Sequence, residues 1–128
     1  MLWWDLDMLR LRGGGGKVPM IADKAAWDAL HKKAGSKLVV VDFTAVWCGP
    51  CVRISPMFES MAEKHWKEGD AEPEVYFVKV DVDENEEVAA ECEISAMPTF
   101  QFYKDGKMIE QIVGADQAKL KANVAKLK

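Results

Sequence analysis

The sequence predicts an α/β domain built on a mixed five-stranded sheet with helices on both faces. Three observations carry this. Lys37 to Ala45 is a near-continuous apolar run, the pattern of a central strand buried on both faces. Ile54, Phe58, Met61, Ala62 and His65 then recur at helical spacing. Further on, two apolar runs bracket Asp105-Gly106, the mark of a β-hairpin.

Taken in order, the elements support one another. Val18 to Ala22 is short and apolar, and its proline makes it an edge strand. Asp23 is placed to cap a helix with the stripe Trp27, Leu30 and Ala34, which Gly35-Ser36 stops. The central strand and the helix from Ile54 to His65 follow, with Pro56 expected to kink that helix. Glu74 to Val80 reads as another strand, and Asp83 as the cap of a short helix running toward Cys92. Thr99–Tyr103 and Lys107–Val113 form the hairpin, and Gly114 ends it. Asp116 caps a last helix with Leu120, Val124 and Leu127 on one face, and Lys126 and Lys128 suit its C-terminus. The order βαβα, βα, ββα requires parallel strands joined by helical crossovers, then an antiparallel pair.

Gly13 to Gly16 separates a tail from this domain, so residues 1–17 read as an extension with a linker and residues 18–128 as the domain. With 128 residues, 49% of them apolar, the chain builds a core without disulfide staples. The net charge of -4 gives no footprint for nucleic acid. No apolar run approaches the ~20 residues that span a bilayer. The first residues lack the basic and small-residue features of a secretory signal, and Asp5 and Asp7 argue against a transit peptide. Three cysteines are too few for a secreted disulfide scaffold, so the expected location is cytoplasmic.

The chemistry gathers at Trp47-Cys48-Gly49-Pro50-Cys51. Cysteines with two residues between them serve both redox chemistry and zinc. Zinc needs two further ligands, and Cys92, His31 and His65 show no paired spacing, so no metal site is expected. The position between a strand and a helix favours redox work. A helix start there stabilises a thiolate at Cys48 and lowers its pKa. Pro50 costs little in a first helical turn and stiffens the loop. Cys51, inside the helix, is shielded. Cys48 therefore attacks a substrate disulfide, and Cys51 resolves the mixed disulfide. Asp42 interrupts the apolar strand, where an acid is costly unless used or satisfied. Burial raises its pKa, which suits a base that takes the Cys51 proton. The alternative is a structural acid paired with Lys79 on the adjacent strand.

Val41-Asp42-Phe43, Trp47 to Cys51, Pro56, Lys79-Val-Asp81-Val-Asp83, Met97-Pro98-Thr99 and Gly114 together resemble a thioredoxin. The resemblance runs from about Val18 to Lys128, and Glu91 to Tyr103 is most similar to the eukaryotic cytosolic type. It implies the thioredoxin fold and reduction of protein disulfides in general redox homeostasis. Cys48 and Cys51 are then the redox-active pair, with Asp42, assisted by Lys79, handling the resolving proton. Pro98 is a cis-proline facing the dithiol, and the Met97 backbone offers hydrogen bonds to an extended substrate segment. Trp47 and Gly114 line the apolar groove around Cys48, and Gly49 and Pro50 are counted with them as substrate-binding residues. No cofactor is bound; thioredoxin reductase restores the dithiol at the expense of NADPH. The expected protein is a monomer that meets disulfide-containing proteins.

One position departs from the pattern. Members commonly carry Lys or Arg directly after the second cysteine, where this chain has Val52 and then Arg53. A helix turns ~100° per residue, so Arg53 is expected to point elsewhere and partner preference to shift away from acidic surfaces. Cys92 reads as a small, partly buried apolar residue, with a regulatory thiol as the alternative. His65 reads as a packed end-of-helix histidine. The acids from Asp81 to Glu87 read as capping and solvation. Within the tail, Trp4, Leu6 and Met8 alternate with Asp5 and Asp7, then Leu9 and Leu11 with Arg10 and Arg12. That pattern is a strand with a bulge near Met8-Leu9. The tail is read as a docking segment, a peptide grafted through a glycine linker, or an extension without a role, the graft being favoured. A second function follows from it: the domain as scaffold or tether for an N-terminal binding peptide.

Overall fold

The computed structural model describes residues 18–65 and 72–128, so the tail reading lies outside the described residues. The elements run α1 (Lys24–Ala34), β1 (Val39–Thr44), α2 (Gly49–His65), β2 (Tyr76–Asp81), α3 (Glu86–Glu91), β3 (Thr99–Lys104), β4 (Lys107–Val113) and α4 (Gln117–Leu127). The strands form one sheet in the order β2-β1-β3-β4. β1 pairs parallel with β2 and antiparallel with β3, which makes it the central strand the apolar run predicted.

The side-chain alternation of β1 sorts the core into two layers. Val39, Val41 and Phe43 pack with Trp27 and Leu30 of α1 and Val88 of α3. Val40 and the preceding Leu38 pack with Ile54 and Phe58 of α2 and Leu120 and Val124 of α4. Asp42 follows the second phase, so its carboxylate lies on the α2 side of the sheet.

Several local expectations hold. Asp23 caps α1 by accepting from the Ala26 N–H at 2.8 Å, and Gly35 ends it at φ 56°. Asp105 and Gly106, at φ 52° and 74°, make the tight hairpin turn, since paired positive φ values match the twist of the strands. Asp116 caps α4 through the Lys119 N–H at 3.0 Å. α2 continues through Pro56, whose missing N–H leaves the Val52 carbonyl without its helical donor.

Two expectations need correction. Among the described residues the mixed sheet has four strands, one fewer than expected. Val18 to Ala22 contributes only a single parallel bridge, Met20 with Lys79, made by the Ile21 N–H to the Lys79 carbonyl at 2.8 Å and the Lys79 N–H to the Pro19 carbonyl at 3.0 Å. The next bond of a parallel ladder needs an N–H at position 19 to reach Phe77, and proline has none. The cap of α3 is Asn85, not Asp83: its Oδ1 accepts from the Val88 N–H at 3.3 Å, and its Nδ2 donates to the Ile21 carbonyl at 3.1 Å. Asp83 lies too early to reach the helix start, and its carboxylate is used elsewhere.

Candidate functional site

The end of β1 delivers the chain into the redox loop. Cys48 stands immediately before α2, and its carbonyl accepts from the Val52 N–H at 3.1 Å, the first bond of the helix. Its Sγ accepts from the Cys51 N–H at 3.2 Å, as a capping oxygen would. A sulfur bearing negative charge is stabilised by that donor. Cys48 and Cys51 are joined as a disulfide with Cα atoms 5.3 Å apart. Cys48 keeps 6% of its surface exposed against 1% for Cys51, so Cys48 is the more open of the two. Ala45, Val82 and Met97 complete the apolar surround.

Asp42 is fully buried, and neither carboxylate oxygen accepts a hydrogen bond from any described group. Burial pushes its pKa from 3.8 up to about 7; the Lys79 ammonium opposes that rise and the Glu59 carboxylate adds to it. Asp42 and Lys79 are register partners across β1 and β2, as expected for neighbours. The Lys79 ammonium nevertheless turns to Ser55 Oγ at 2.6 Å and Glu59 Oε2 at 3.1 Å. Ser55 and Glu59 went unnoticed in the sequence, although Cys51, Ser55 and Glu59 at intervals of four lie along one face of α2.

The opposite wall comes from the start of β3. The Met97-Pro98 bond is cis, and the Met97 carbonyl lies 3.8 Å from Cys48 Sγ. The Gly114 N–H donates to the Pro98 carbonyl at 2.8 Å, with Gly114 at φ 105°, tying the end of β4 to that wall. Trp47 is 66% exposed beside Cys48, and its Nε1–H donates to Asp83 at 2.8 Å, a partner the sequence did not suggest. Cys48, Cys51, Trp47, Gly49, Pro50, Met97, Pro98 and Gly114 are thus neighbours, with Asp42 and Lys79 behind them on the α2 face of the sheet.

Arg53 does not point away. Its Nη1 lies 3.1 Å from where a Cβ on Gly49 would sit, so the guanidinium folds back over the redox loop. Residues four apart share a helix face, and the missing side chain at Gly49 leaves room for the cation. The local positive charge is relocated rather than lost, which removes the ground for expecting avoidance of acidic surfaces.

A thioredoxin family model matches residues 18–126. The chain belongs to the thioredoxin family. Horse thioredoxin is 47% identical over 107 residues, covering 84% of this chain and 95% of the relative. Human thioredoxin is 46% identical over 110 residues, covering 86% and 98%. Among solved structures, Fasciola hepatica thioredoxin superposes with a TM-score of 0.78 at 43% identity, covering 85% of this chain and 98% of that one. A Nicotiana alata thioredoxin reaches 0.80 at 36% identity, covering 91% and 96%. Like the family, the protein is a thiol-disulfide oxidoreductase, a protein-disulfide reductase with a redox-active cysteine pair. Thioredoxins in general act on disulfide-containing proteins and work without a bound cofactor. No group of three or more His, Cys, Asp or Glu among the described residues is placed to hold a metal ion. No described helix is long and apolar enough to cross a membrane.

Cys92 stands apart from the pair, half-buried at the end of α3 and packed on the α1 layer. The Tyr103 hydroxyl lies 3.4 Å from its sulfur, and burial pushes the thiol pKa up. His65 stacks on Phe77 with ring centroids 5.7 Å apart, as a packed end-of-helix residue does.

Proposed function

We propose that Cys48 is the nucleophile of this reductase and Cys51 its resolving thiol. The Cys48 thiolate attacks one sulfur of a substrate disulfide; that S–S bond breaks, a substrate thiolate leaves, and a mixed disulfide forms at Cys48. Asp42 accepts the Cys51 proton, the new thiolate attacks Cys48 Sγ, and the second substrate thiol is released. The substrate is oxidised at the start and the Cys48–Cys51 pair at the end, so two electrons pass to the substrate. The observation that carries this reading is Asp42: a buried carboxylate with no hydrogen-bond partner, raised to about 7, on the sheet face that packs against α2. Lys79 assists by holding Glu59 and limiting the rise at Asp42. Trp47, Gly49, Pro50, Met97, Pro98 and Gly114 form the substrate groove, with the Met97 backbone pairing with an extended segment.

The dithiol is restored by thioredoxin reductase at the expense of NADPH. The protein works as a monomer in the cytoplasm, without nucleic acid or membrane partners. Residues 18–128 are the working domain and residues 1–17 an extension. Insulin reduction, driven by dithiothreitol or by NADPH with thioredoxin reductase, tests this: the full chain and a form lacking residues 1–17 turn over alike, and Cys48→Ser is inactive. Resolution of a preformed mixed disulfide near neutral pH slows about a hundred-fold in Asp42→Asn. An unchanged rate removes Asp42 from the mechanism. A large loss on removing the tail makes it part of the enzyme and favours the tether reading.

A further inference from the structure

We propose that Arg53 is a specificity-determining residue of this reductase: its guanidinium binds an acidic side chain that flanks the target cysteine in a substrate disulfide. The inference rests on Cys48 being the attacking sulfur. Lys24, Lys33, Lys37, Lys79 and Lys128 each hold a carboxylate within 3.3 Å. Arg53 is the one arginine among the described residues, and no hydrogen bond or ion pair engages its guanidinium there; several surface lysines are equally unpaired, but none of them lies beside the redox loop. The Arg53 guanidinium lies over Gly49, the residue after Cys48.

That place borders a cleft of about 370 Å³ lined by Pro50, Arg53, Ile54, Ala115 and Gln117. Pro50 belongs to the redox loop, and Ala115 follows Gly114, which is tied to Pro98. The cleft therefore opens onto one side of the path of a chain joined to Cys48. Trp47, which precedes Cys48, is engaged with the Asp83 carboxylate. Consecutive Cα atoms are ~3.8 Å apart, so a residue beside the target cysteine reaches the cleft with its side chain. Asp116, between the lining residues Ala115 and Gln117, already caps α4. A substrate carboxylate there meets a planar cation with paired donors and no internal competitor. Val52, 57% exposed, is apolar, so Arg53 is the only cation in the turn that follows Cys51.

Synthetic peptides with one disulfide, carrying Glu, Gln or Lys beside each cysteine, test the assignment. Second-order rates of reduction by the pre-reduced full chain are compared for wild type, Arg53→Gln and Arg53→Glu. Wild type reduces the Glu peptide about three-fold faster than the Gln peptide at low ionic strength, the scale of an exposed ion pair. The ratio shrinks at about 0.5 M salt. It falls to about one in Arg53→Gln, and Arg53→Glu prefers the Lys peptide. An equal Glu-to-Gln ratio in wild type and Arg53→Gln overturns the assignment and leaves the reductase reading standing. So does an equal slowing of all three peptides in Arg53→Gln, which places the effect on the Cys48 thiol. Failure of wild type to reduce even the Gln peptide overturns both.

Discussion

Replacing Asp42 by Asn removes a charge from the centre of the fold while keeping its shape. The Asp42 carboxyl is fully buried and moves from 3.8 to about 7 on folding, chiefly through loss of water. That difference is about three in pKa, or ~4 kcal/mol at ~1.4 kcal/mol each. The folded chain keeps the proton across a pH range in which the unfolded chain has lost it. The contribution of Asp42 to stability is therefore full below pH 3.8, falls as pH rises, and levels off above about 7. Asn carries no such dependence, but a buried amide without partners costs about 1–3 kcal/mol. At about pH 8 the variant is the more stable by about 1–3 kcal/mol, and by about pH 5 the two are equal. Urea unfolding of the oxidised proteins from about pH 5 to 8 measures the gap. A gap that does not change with pH, or a wild type that is the more stable at pH ~8, refutes the placement of a desolvated carboxyl at this position.

Asn85→Ala loses both the cap of α3 and the bond to the Ile21 carbonyl, and unfolds about 2–3 kcal/mol more easily in urea. Gly114→Ala meets no atom within 4 Å, so its cost is the backbone strain of φ 105°, about 1–2 kcal/mol in the same assay. Native Cys92 reacts with a maleimide much more slowly than in urea, because it is half-buried and its thiol pKa is raised. Cys92→Ala leaves insulin reduction unchanged.

Where one residue's chemistry dictates a local structure, the sequence was readable. Asp23, Asp116 and Asp105-Gly106 announced their caps and turn, and the unbroken run through Val39–Val41 announced the central strand. The site was legible because Asp42 is out of place in that run and the cysteines follow its end. What escaped depends on distances across the fold. The Pro19 carbonyl still accepts from the sheet, yet its missing N–H reduces an expected strand to one bridge. Asp83 and Asn85 are equally good caps by composition, and only geometry gives one to α3 and the other to Trp47. For Arg53, turning angle alone suggested divergence; its length and the bare Gly49 one turn back bring it to the loop.

Cys48 is proposed to attack and Cys51 to resolve, although their exposures differ only as 6% and 1%. Mass spectrometry of the products formed with a disulfide-bonded peptide tests this assignment most directly. Reduced Cys51→Ser, lacking the resolving thiol, accumulates a mixed disulfide whose peptide is attached at Cys48, while reduced Cys48→Ser forms none under the same conditions. A stable adduct on Cys51 in Cys48→Ser, formed as fast as the adduct on Cys48, contradicts the assignment.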